Sequence, residues 1–175
     1  MRSLIVLVCL SIALSPAALA QRKAPPAKPA AGPKELGKFG DWIAATYQEA
    51  GHTVCYAFVT AKNSAPALPK RGEVVLTVSE RPTGRDWVAI SAGFAYAKGA
   101  VVTMQVDTTG LDFYTAGSSA FARDGKAAVI AFQRSSQALA RSPGAREGQM
   151  VVDTFSLNGF SAAYGAISKA CPARE

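Results

Sequence analysis

Residues 73–79 read EVVLTVS, and their alternation is the clearest structural signal in the chain. Val74, Leu76 and Val78 fall on one side of an extended segment, and the residues between them fall on the other. This pattern predicts a β-strand with one buried face and one partly solvated face, as in antiparallel sheets. We therefore expect a fold that is built from half-buried strands.

Similar segments, rich in β-branched and aromatic residues, lie on both sides of this strand. The predicted strands are residues 52–60, 73–79, 86–91, 100–106, 111–115 and 150–155. Turn-forming residues separate them at 63–66, 81–84, 98–99 and 109–110. Short strands with such regular punctuation predict a mainly β domain, either a β-sandwich or a partly closed barrel of short antiparallel strands.

Two segments have features of helices. The C-terminal one carries apolar residues at three- and four-residue spacing, which places them on one helix face. These residues are Leu157, Phe160, Ala163, Tyr164, Ile167 and Cys171. Ser156 is placed to cap the start of this helix, and Pro172 is placed to end it. A short internal helix could begin at Asp124, although Val129 and Ile130 are equally compatible with a strand.

Residues 1–20 have the features of a secretory signal peptide. A positive charge at Arg2 precedes an apolar run, and small residues before position 21 supply a cleavage site. The run is shorter than the roughly 20 residues that a bilayer-spanning helix needs, so cleavage after Ala20 is favoured over a retained anchor. Cys9 lies inside the run without a small residue before it, unlike a lipidation site. We therefore expect an exported mature chain without a transmembrane segment.

Removal of residues 1–20 leaves a net charge of +6 and two cysteines, Cys55 and Cys171. In an oxidising compartment such a pair is most simply a disulfide bond; free thiols, a metal pair and an intermolecular link are the alternatives. A structural metal usually needs about four Cys or His ligands, more than the two Cys and one His of the mature chain. We therefore predict the Cys55–Cys171 bond and no metal site. By the chain-entropy argument, closing a loop of 116 positions stabilises the domain by roughly 4–5 kcal/mol.

Residues 21–35 are rich in Pro, Ala and Lys, with no aromatic or β-branched residue. Such a composition cannot offset its ordering entropy, and it predicts a flexible tether. Its basic residues could serve solubility, or they could attract anionic lipid or polysaccharide; they are Arg22, Lys23, Lys28 and Lys34. Residues 36–175 have the length of one ordinary domain and contain no internal repeat or second linker.

No residue pattern predicts catalysis. His52 follows a glycine at a turn or strand start, where a solvated or structural role is usual. Neither residues 117–119 nor residues 159–161 form the G-x-S-x-G nucleophile elbow. A catalytic acid/base pair of carboxylates could in principle come from Asp107, Asp112 or Asp153. Twelve acidic residues in one chain produce such pairs by chance, so these residues are weak candidates.

The basic residues outside the tether are dispersed over several loops. A nucleic-acid site would need a focused basic patch with stacking aromatic residues. The chain also lacks a phosphate-binding glycine loop. We therefore expect no enzyme, no cofactor and no nucleic-acid partner.

Two motifs make the chain resemble a known family. Residues 39–42 read FGDW, and residues 153–163 read DTFSLNGFSAA. With VCYA at 54–57, RP at 81–82 and SAGF at 91–94, they resemble the invasion-associated locus B family of exported bacterial proteins over about residues 36–172. The motif residues that we single out are Phe39, Gly40, Asp41, Trp42, Asp153, Ser156, Leu157, Gly159 and Phe160.

The resemblance implies an exported, non-enzymatic envelope protein, periplasmic or at the outer surface, with a binding role in host-cell contact or invasion. Its partner would be an envelope or host-surface component. A periplasmic envelope-maintenance or stress factor is the alternative, and an unrecognised hydrolase is a third hypothesis. Residues 142–148 depart from the Ser-Arg-Gly-Thr-like run usual in the family, so no site on that loop can be transferred.

The FGDW motif also has a purely structural interpretation. Phe39 and Trp42 would bury large apolar area, and Gly40 would allow a tight bend. Asp41 would accept hydrogen bonds from nearby backbone donors. We expect this core role in preference to ligand binding.

Overall fold

The computed structural model describes residues 32–144, 146 and 148–173. The predicted signal peptide and residues 21–31 of the predicted tether lie outside the described residues. The strands are β1 (Lys34–Phe39), β2 (Trp42–Glu49), β3 (His52–Thr60), β4 (Asn63–Ala65), β5 (Val75–Arg81), β6 (Gly84–Ser91), β7 (Val101–Val106), β8 (Thr109–Ala116), β9 (Ser119–Ala122), β10 (Gln137–Pro143) and β11 (Met150–Ser156). Helix α1 (Gly125–Arg134) lies between β9 and β10, and α2 (Phe160–Ala170) follows β11. The mainly β prediction is confirmed, as are the C-terminal and internal helices.

All eleven strands form one antiparallel sheet, in the order β1-β2-β3-β5-β6-β9-β8-β7-β10-β11-β4. The sheet is not closed, because β1 and β4 are its two edges. The Lys62 amide, between β3 and β4, donates to the carbonyl oxygen of Thr154 in β11 at 2.8 Å. The far edge of the sheet thus returns close to β3. This single curled sheet corresponds to the partly closed barrel of the prediction, and not to two stacked sheets.

The two faces of the sheet differ in burial. Leu76 and Val78 are fully buried, whereas Thr77 and Ser79 between them are half-buried, as the alternation predicts. We call the buried side the inner face and the opposite side the outer face. Helices α1 and α2 both pack against the inner face, because their buried residues belong to the same apolar cluster; these are Ala128, Val129, Phe132, Phe160, Ala163 and Ile167.

The helix ends follow the prediction in part. The Asp124 carboxylate caps α1 by accepting from the Ala127 amide at 2.9 Å, as predicted. The predicted Ser156 cap of α2 is wrong, because Ser156 still pairs with β10 as the last residue of β11. Helix α2 begins after Gly159, and Leu157 lies before the helix, although it is buried in the same core. The helix ends just before Pro172, as predicted.

Strands β1, β2, β4, β9 and β10 are absent from the sequence-based prediction. Strand β4 occupies residues predicted as a turn, so that prediction is wrong there: pairing with β11 extends the backbone up to the cis Ala65–Pro66 peptide bond. Strand β1 begins at Lys34, so the last two residues of the predicted tether belong to the sheet. Backbone pairing with β2 gives Lys34 and Glu35 a regular extended structure that their composition does not predict.

Candidate interaction surface

The two sequence motifs meet in space. Trp42 Nε1 donates to the Ser156 carbonyl oxygen at 3.0 Å, and the Asp41 amide donates to the Asn158 carbonyl oxygen at 3.1 Å. The Ser156 hydroxyl donates to Asp41 Oδ2 at 2.6 Å. These contacts tie the β1–β2 turn to the link between β11 and α2. We call this contact region the motif junction.

Asp41 uses its carboxylate differently from the expectation. It accepts hydrogen bonds from the side chains of Ser156 and Lys62, whose Nζ lies 3.0 Å away, and not from backbone donors. The Ser156 hydroxyl, followed by the Lys62 ammonium, holds the pKa of Asp41 below its ordinary value. The carboxylate thus joins the β1–β2 turn to β11 and to the β3–β4 connection.

Two glycines allow the halves of the motif junction to approach. Gly40 and Gly159 adopt left-handed conformations, with φ of 57° and 89°. A Cβ atom on Gly159 would overlap with the Phe39 carbonyl oxygen, and one on Gly40 would lie 2.7 Å from the Asn158 carbonyl oxygen. Both positions therefore need glycine for backbone conformation and for space.

The aromatic motif residues lie in the core. Trp42 and Phe160 are fully buried, with ring centroids 4.8 Å apart in an edge-on arrangement. Phe132 of α1 packs against Phe160 in the same way at 5.4 Å, and Phe39 is partly buried against the cluster. Trp42 is thus part of the core, and Phe39 packs against it.

Asp153 belongs to the second motif but lies in a separate network on the inner face. It accepts two hydrogen bonds from the Arg71 guanidinium, at 2.7 and 2.8 Å, and one from the Ser64 hydroxyl at 2.6 Å. The Arg71 and Asp153 side chains are only 6% and 2% exposed, so this is a buried ion pair. Arg71 Nε also donates to the Ala92 carbonyl oxygen at 2.6 Å. The pair anchors the loop between β4 and β5 to β11.

Cys55 and Cys171 form a disulfide bond, with their Cα atoms 6.0 Å apart, which joins β3 to the end of α2. Arg85 supports the same helix end. Its guanidinium donates to the Cys171 carbonyl oxygen at 2.8 Å and to the Ser168 hydroxyl at 3.3 Å. Its Nε lies 3.1 Å from Oε2 of the fully buried Glu80. The disulfide end of the domain is thus fixed by covalent and polar contacts together.

Glu80 and Tyr164 have shifted protonation equilibria in this region. Burial raises the pKa of Glu80 to about 7, against the opposing effect of the Arg85 charge. Burial also raises the pKa of Tyr164 to about 12, and its hydroxyl donates to Asp86 Oδ1 at 2.6 Å. Both groups therefore keep their protons to a higher pH than they would in the unfolded chain.

The residues considered for catalysis are not brought together. His52 is exposed at the start of β3, and Asp107 lies in the β7–β8 turn, where it accepts a hydrogen bond from Ser135. Asp112 is exposed on β8, whereas Asp153 is buried against Arg71. Within the described ranges, no three His, Cys, Asp or Glu side chains are grouped as a metal site would require. Neither described helix has the length and apolar character needed to cross a membrane.

The outer face carries a group of aromatic side chains that belong to neither the FGDW motif nor the 153–163 motif. We call this group the outer aromatic face; its members are Tyr47, Tyr56, Phe58, Trp87, Tyr114 and Phe121. None of them belongs to the buried apolar cluster of the described residues. Trp87 and Tyr114 expose 44% and 41% of their surface, and the other four are half-buried.

Strand register aligns these side chains across the sheet. One row runs over β3, β5, β6, β9 and β8 and consists of Phe58, Thr77, Ala89, Phe121 and Tyr114. Since neighbouring strands lie about 4.8 Å apart, this row is about 20 Å long. The next row places Ser79 between Tyr56 and Trp87. Small residues on β5 and β6 therefore separate two aromatic groups.

The aromatic rings support one another within each group. Tyr56 lies edge-on to Tyr47 at 5.5 Å and stacks with Phe58 at 5.9 Å. Tyr114 stacks with Phe121 at 5.5 Å, and the Arg123 guanidinium lies 5.9 Å above the Tyr114 ring. Contacts of this kind restrict the rotamers of the paired rings, which lowers the entropy that they lose when a partner binds.

Such a surface can form the centre of a macromolecular interface. Aromatic residues are enriched at interfaces and carry much of their binding energy. This surface is hard to predict from sequence, because both faces of residues 52–60 are apolar and alternation there does not show which face is outside. The outer aromatic face is therefore the candidate interaction surface.

The family model described as "Invasion associated locus B (IalB) protein" matches residues 42–168. Among solved structures, the chain is similar to the crystal structure of invasion associated protein b from Bartonella henselae, with a TM-score of 0.56 and 18% sequence identity. The similarity covers 77% of this chain and 96% of that chain. No curated protein matches the chain. These findings confirm the predicted resemblance, and the structural similarity shows a shared fold.

Proposed function

Since the chain belongs to the invasion associated locus B family, we propose that it acts as a non-enzymatic binding protein of the bacterial envelope. The observation that carries this proposal is the outer aromatic face, with Trp87 and Tyr114 at its most exposed positions. An exposed aromatic surface of this kind gains free energy when a partner covers it. The partner would be a component of the envelope or of a host-cell surface.

The scaffold supports binding by a surface that is already in place. The disulfide bond, the motif junction and the Arg71–Asp153 pair each join segments that are distant in sequence. A surface built on such a scaffold is ordered before its partner arrives, which lowers the entropic cost of association. We therefore expect the backbone of the outer face to change little on binding.

Export is part of the proposal. The signal-like residues 1–20 and the disulfide bond both favour a location outside the cytoplasm. The basic residues of the segment 21–34 would additionally draw the domain towards anionic lipid or polysaccharide. The intact mass of the protein from the native envelope fraction tests export: it should begin at Gln21, with both thiols unreactive until reduction. Retained residues 1–20 with freely reactive thiols would remove this part of the proposal.

The binding role is tested by changing the outer aromatic face alone. Trp87→Ala and Tyr114→Ala should each weaken the association of the purified mature protein with native envelope fractions about tenfold or more, as for hot-spot residues. Ile130→Ala is the matched control, because Ile130 is a large apolar residue on α1 that is 41% exposed. It should leave the association unchanged. Equal binding of all three variants and the wild type would rule out this surface.

A further inference from the structure

We propose that a second site, a basic cavity away from the outer aromatic face, binds a small ligand with an anionic head and an apolar body. The cavity has a volume of about 520 Å³, which lies within the usual range for small-molecule sites. The residues that define it are Pro66, Leu68, Lys70, Arg71, Phe94 and Arg146. They come from the β4–β5 loop, the segment after β6 and the β10–β11 turn.

Backbone contacts hold the walls of this cavity. The Gly72 amide donates to the Gly93 carbonyl oxygen at 3.0 Å, and a Cβ atom on Gly93 would overlap with the Gly72 carbonyl group. On the opposite side, the Gly144 amide donates to the Gln149 carbonyl oxygen at 2.7 Å, and the Gln149 amide donates to that of Arg146 at 3.1 Å. These backbone hydrogen bonds hold the described parts of both walls in place without a ligand.

Arg71 and Phe94 give the cavity a fixed inner wall. The Arg71 guanidinium lies 5.0 Å from the centre of the Phe94 ring, and Asp153 holds it through two hydrogen bonds. Asp153 also balances the Arg71 charge, so Arg71 shapes the site without adding excess charge. Asp153 is thus a positioning residue for the cavity.

Excess positive charge comes from Lys70 and Arg146. Among the described residues, neither forms an ion pair with an acidic side chain. The part of the chain that the structure describes also places no Asp or Glu in the cavity lining. Two cations in a lining whose described residues include no carboxylate favour an anionic group, and the apolar side chains of Pro66, Leu68 and Phe94 favour an alkyl or aromatic body. The ligand class is therefore a carboxylate or phosphate ester with an apolar tail.

The test is a calorimetric titration of the mature protein with three soluble probes. Hexyl phosphate or hexanoate should bind saturably at one site, and inorganic phosphate should bind more weakly because it lacks the apolar body. Hexyl glucoside, which has the same tail and no charge, should show no binding. Vesicles of phosphatidylcholine with and without phosphatidylglycerol distinguish a lipid headgroup from a free small molecule. If the ligand is a lipid headgroup, the protein should bind the vesicles that contain phosphatidylglycerol, and hexyl phosphate should release it. If the ligand is a free small molecule, the protein should bind neither kind of vesicle through this cavity.

Matched variants separate the site from general charge attraction. Lys70→Asn, which suits the left-handed backbone at that position, and Arg146→Gln should each weaken hexyl phosphate binding about tenfold. Lys126→Gln removes the same charge from an exposed position on α1 and should have no effect. Trp87→Ala should also have no effect, so this inference and the proposed function can fail separately. Absence of saturable binding by both anionic probes, or an equal loss in Lys126→Gln, would overturn the inference.

Discussion

Glu80 links the folding of this domain to pH. Its carboxyl group is fully buried, and burial raises its pKa from 4.5 to about 7. Between pH 4.5 and about pH 7, Glu80 keeps its proton in the folded chain and has lost it in the unfolded chain. The folded state then binds more protons, so the free energy of unfolding falls as pH rises through this window. Above about pH 7 the loss is complete.

The first prediction follows for Glu80→Gln. This variant cannot ionise at position 80, so its melting temperature should decrease less than that of the wild type between pH 5 and pH 8. The measurement is thermal unfolding followed by circular dichroism at several pH values. Glu73→Gln makes the same chemical change at an exposed position and should keep the wild-type pH dependence. A Glu80→Gln curve parallel to the wild type would contradict this role of Glu80.

At the scale of the elements, the motif junction explains how the first hairpin meets the last helix. Gly159 has a left-handed backbone, and its α-carbon faces the Phe39 carbonyl group without room for a side chain. Gly51, in the β2–β3 turn, is also left-handed, with φ of 81°, but has open space around it. A side chain at Gly51 would cost only the free energy of a left-handed backbone. A side chain at Gly159 would add the free energy of steric overlap with Phe39.

The second prediction compares alanine at these two glycines. Gly51→Ala should lower the free energy of unfolding by about 1–2 kcal/mol, the ordinary cost of a left-handed alanine. Gly159→Ala should cost clearly more, because the β1–β2 turn must move away from α2 as well. Urea denaturation of both variants measures the difference. Equal losses would show that the junction tolerates a side chain and does not depend on close approach.

A strand could be predicted from sequence where its own residues favour an extended backbone, and it was missed where only its neighbours in the sheet hold it extended. Strand β3 was predicted with its observed bounds, because residues 52–60 are rich in β-branched and aromatic types. Strand β10 reads QALARSP and has little strand preference of its own; β7 and β11 hold it extended from both sides. The sequence identified both halves of the motif junction, but only the fold shows that the two halves touch.

At the scale of the whole molecule, one covalent bond closes most of the domain. Cys55 and Cys171 are separated by 116 positions, and their bond fixes the end of α2 to β3. The bond joins β3 to the end of α2, two segments that strand pairing alone does not connect. Closure of such a long loop restricts the unfolded chain strongly.

The third prediction concerns removal of this bond. The double variant Cys55→Ala/Cys171→Ala should lose roughly 4–5 kcal/mol of unfolding free energy in the chain-entropy picture. Urea denaturation with and without a reducing agent measures this loss. The wild type should become less stable on reduction, and the double variant should not respond. A wild type that is indifferent to reductant would show that the bond contributes little to stability.

The whole molecule also determines where a partner can bind. The inner face is filled by the core and both helices, whereas the outer aromatic face remains accessible. Residue composition could not predict this surface, because the same aromatic types also build the core at Trp42 and Phe160. Its existence depends on strand register over five neighbouring strands.

Site-specific photo-crosslinking in living cells of the native bacterium would show directly whether the outer aromatic face contacts a partner. A photoreactive phenylalanine analogue replaces Tyr114 on the outer aromatic face in one strain and Ile130 on α1 in another. The two positions have the same exposure, 41% each, so random collisions should label them equally. We expect a discrete crosslinked product from position 114 and none from position 130. Equal products from both positions, or a discrete product from position 130 alone, would contradict it.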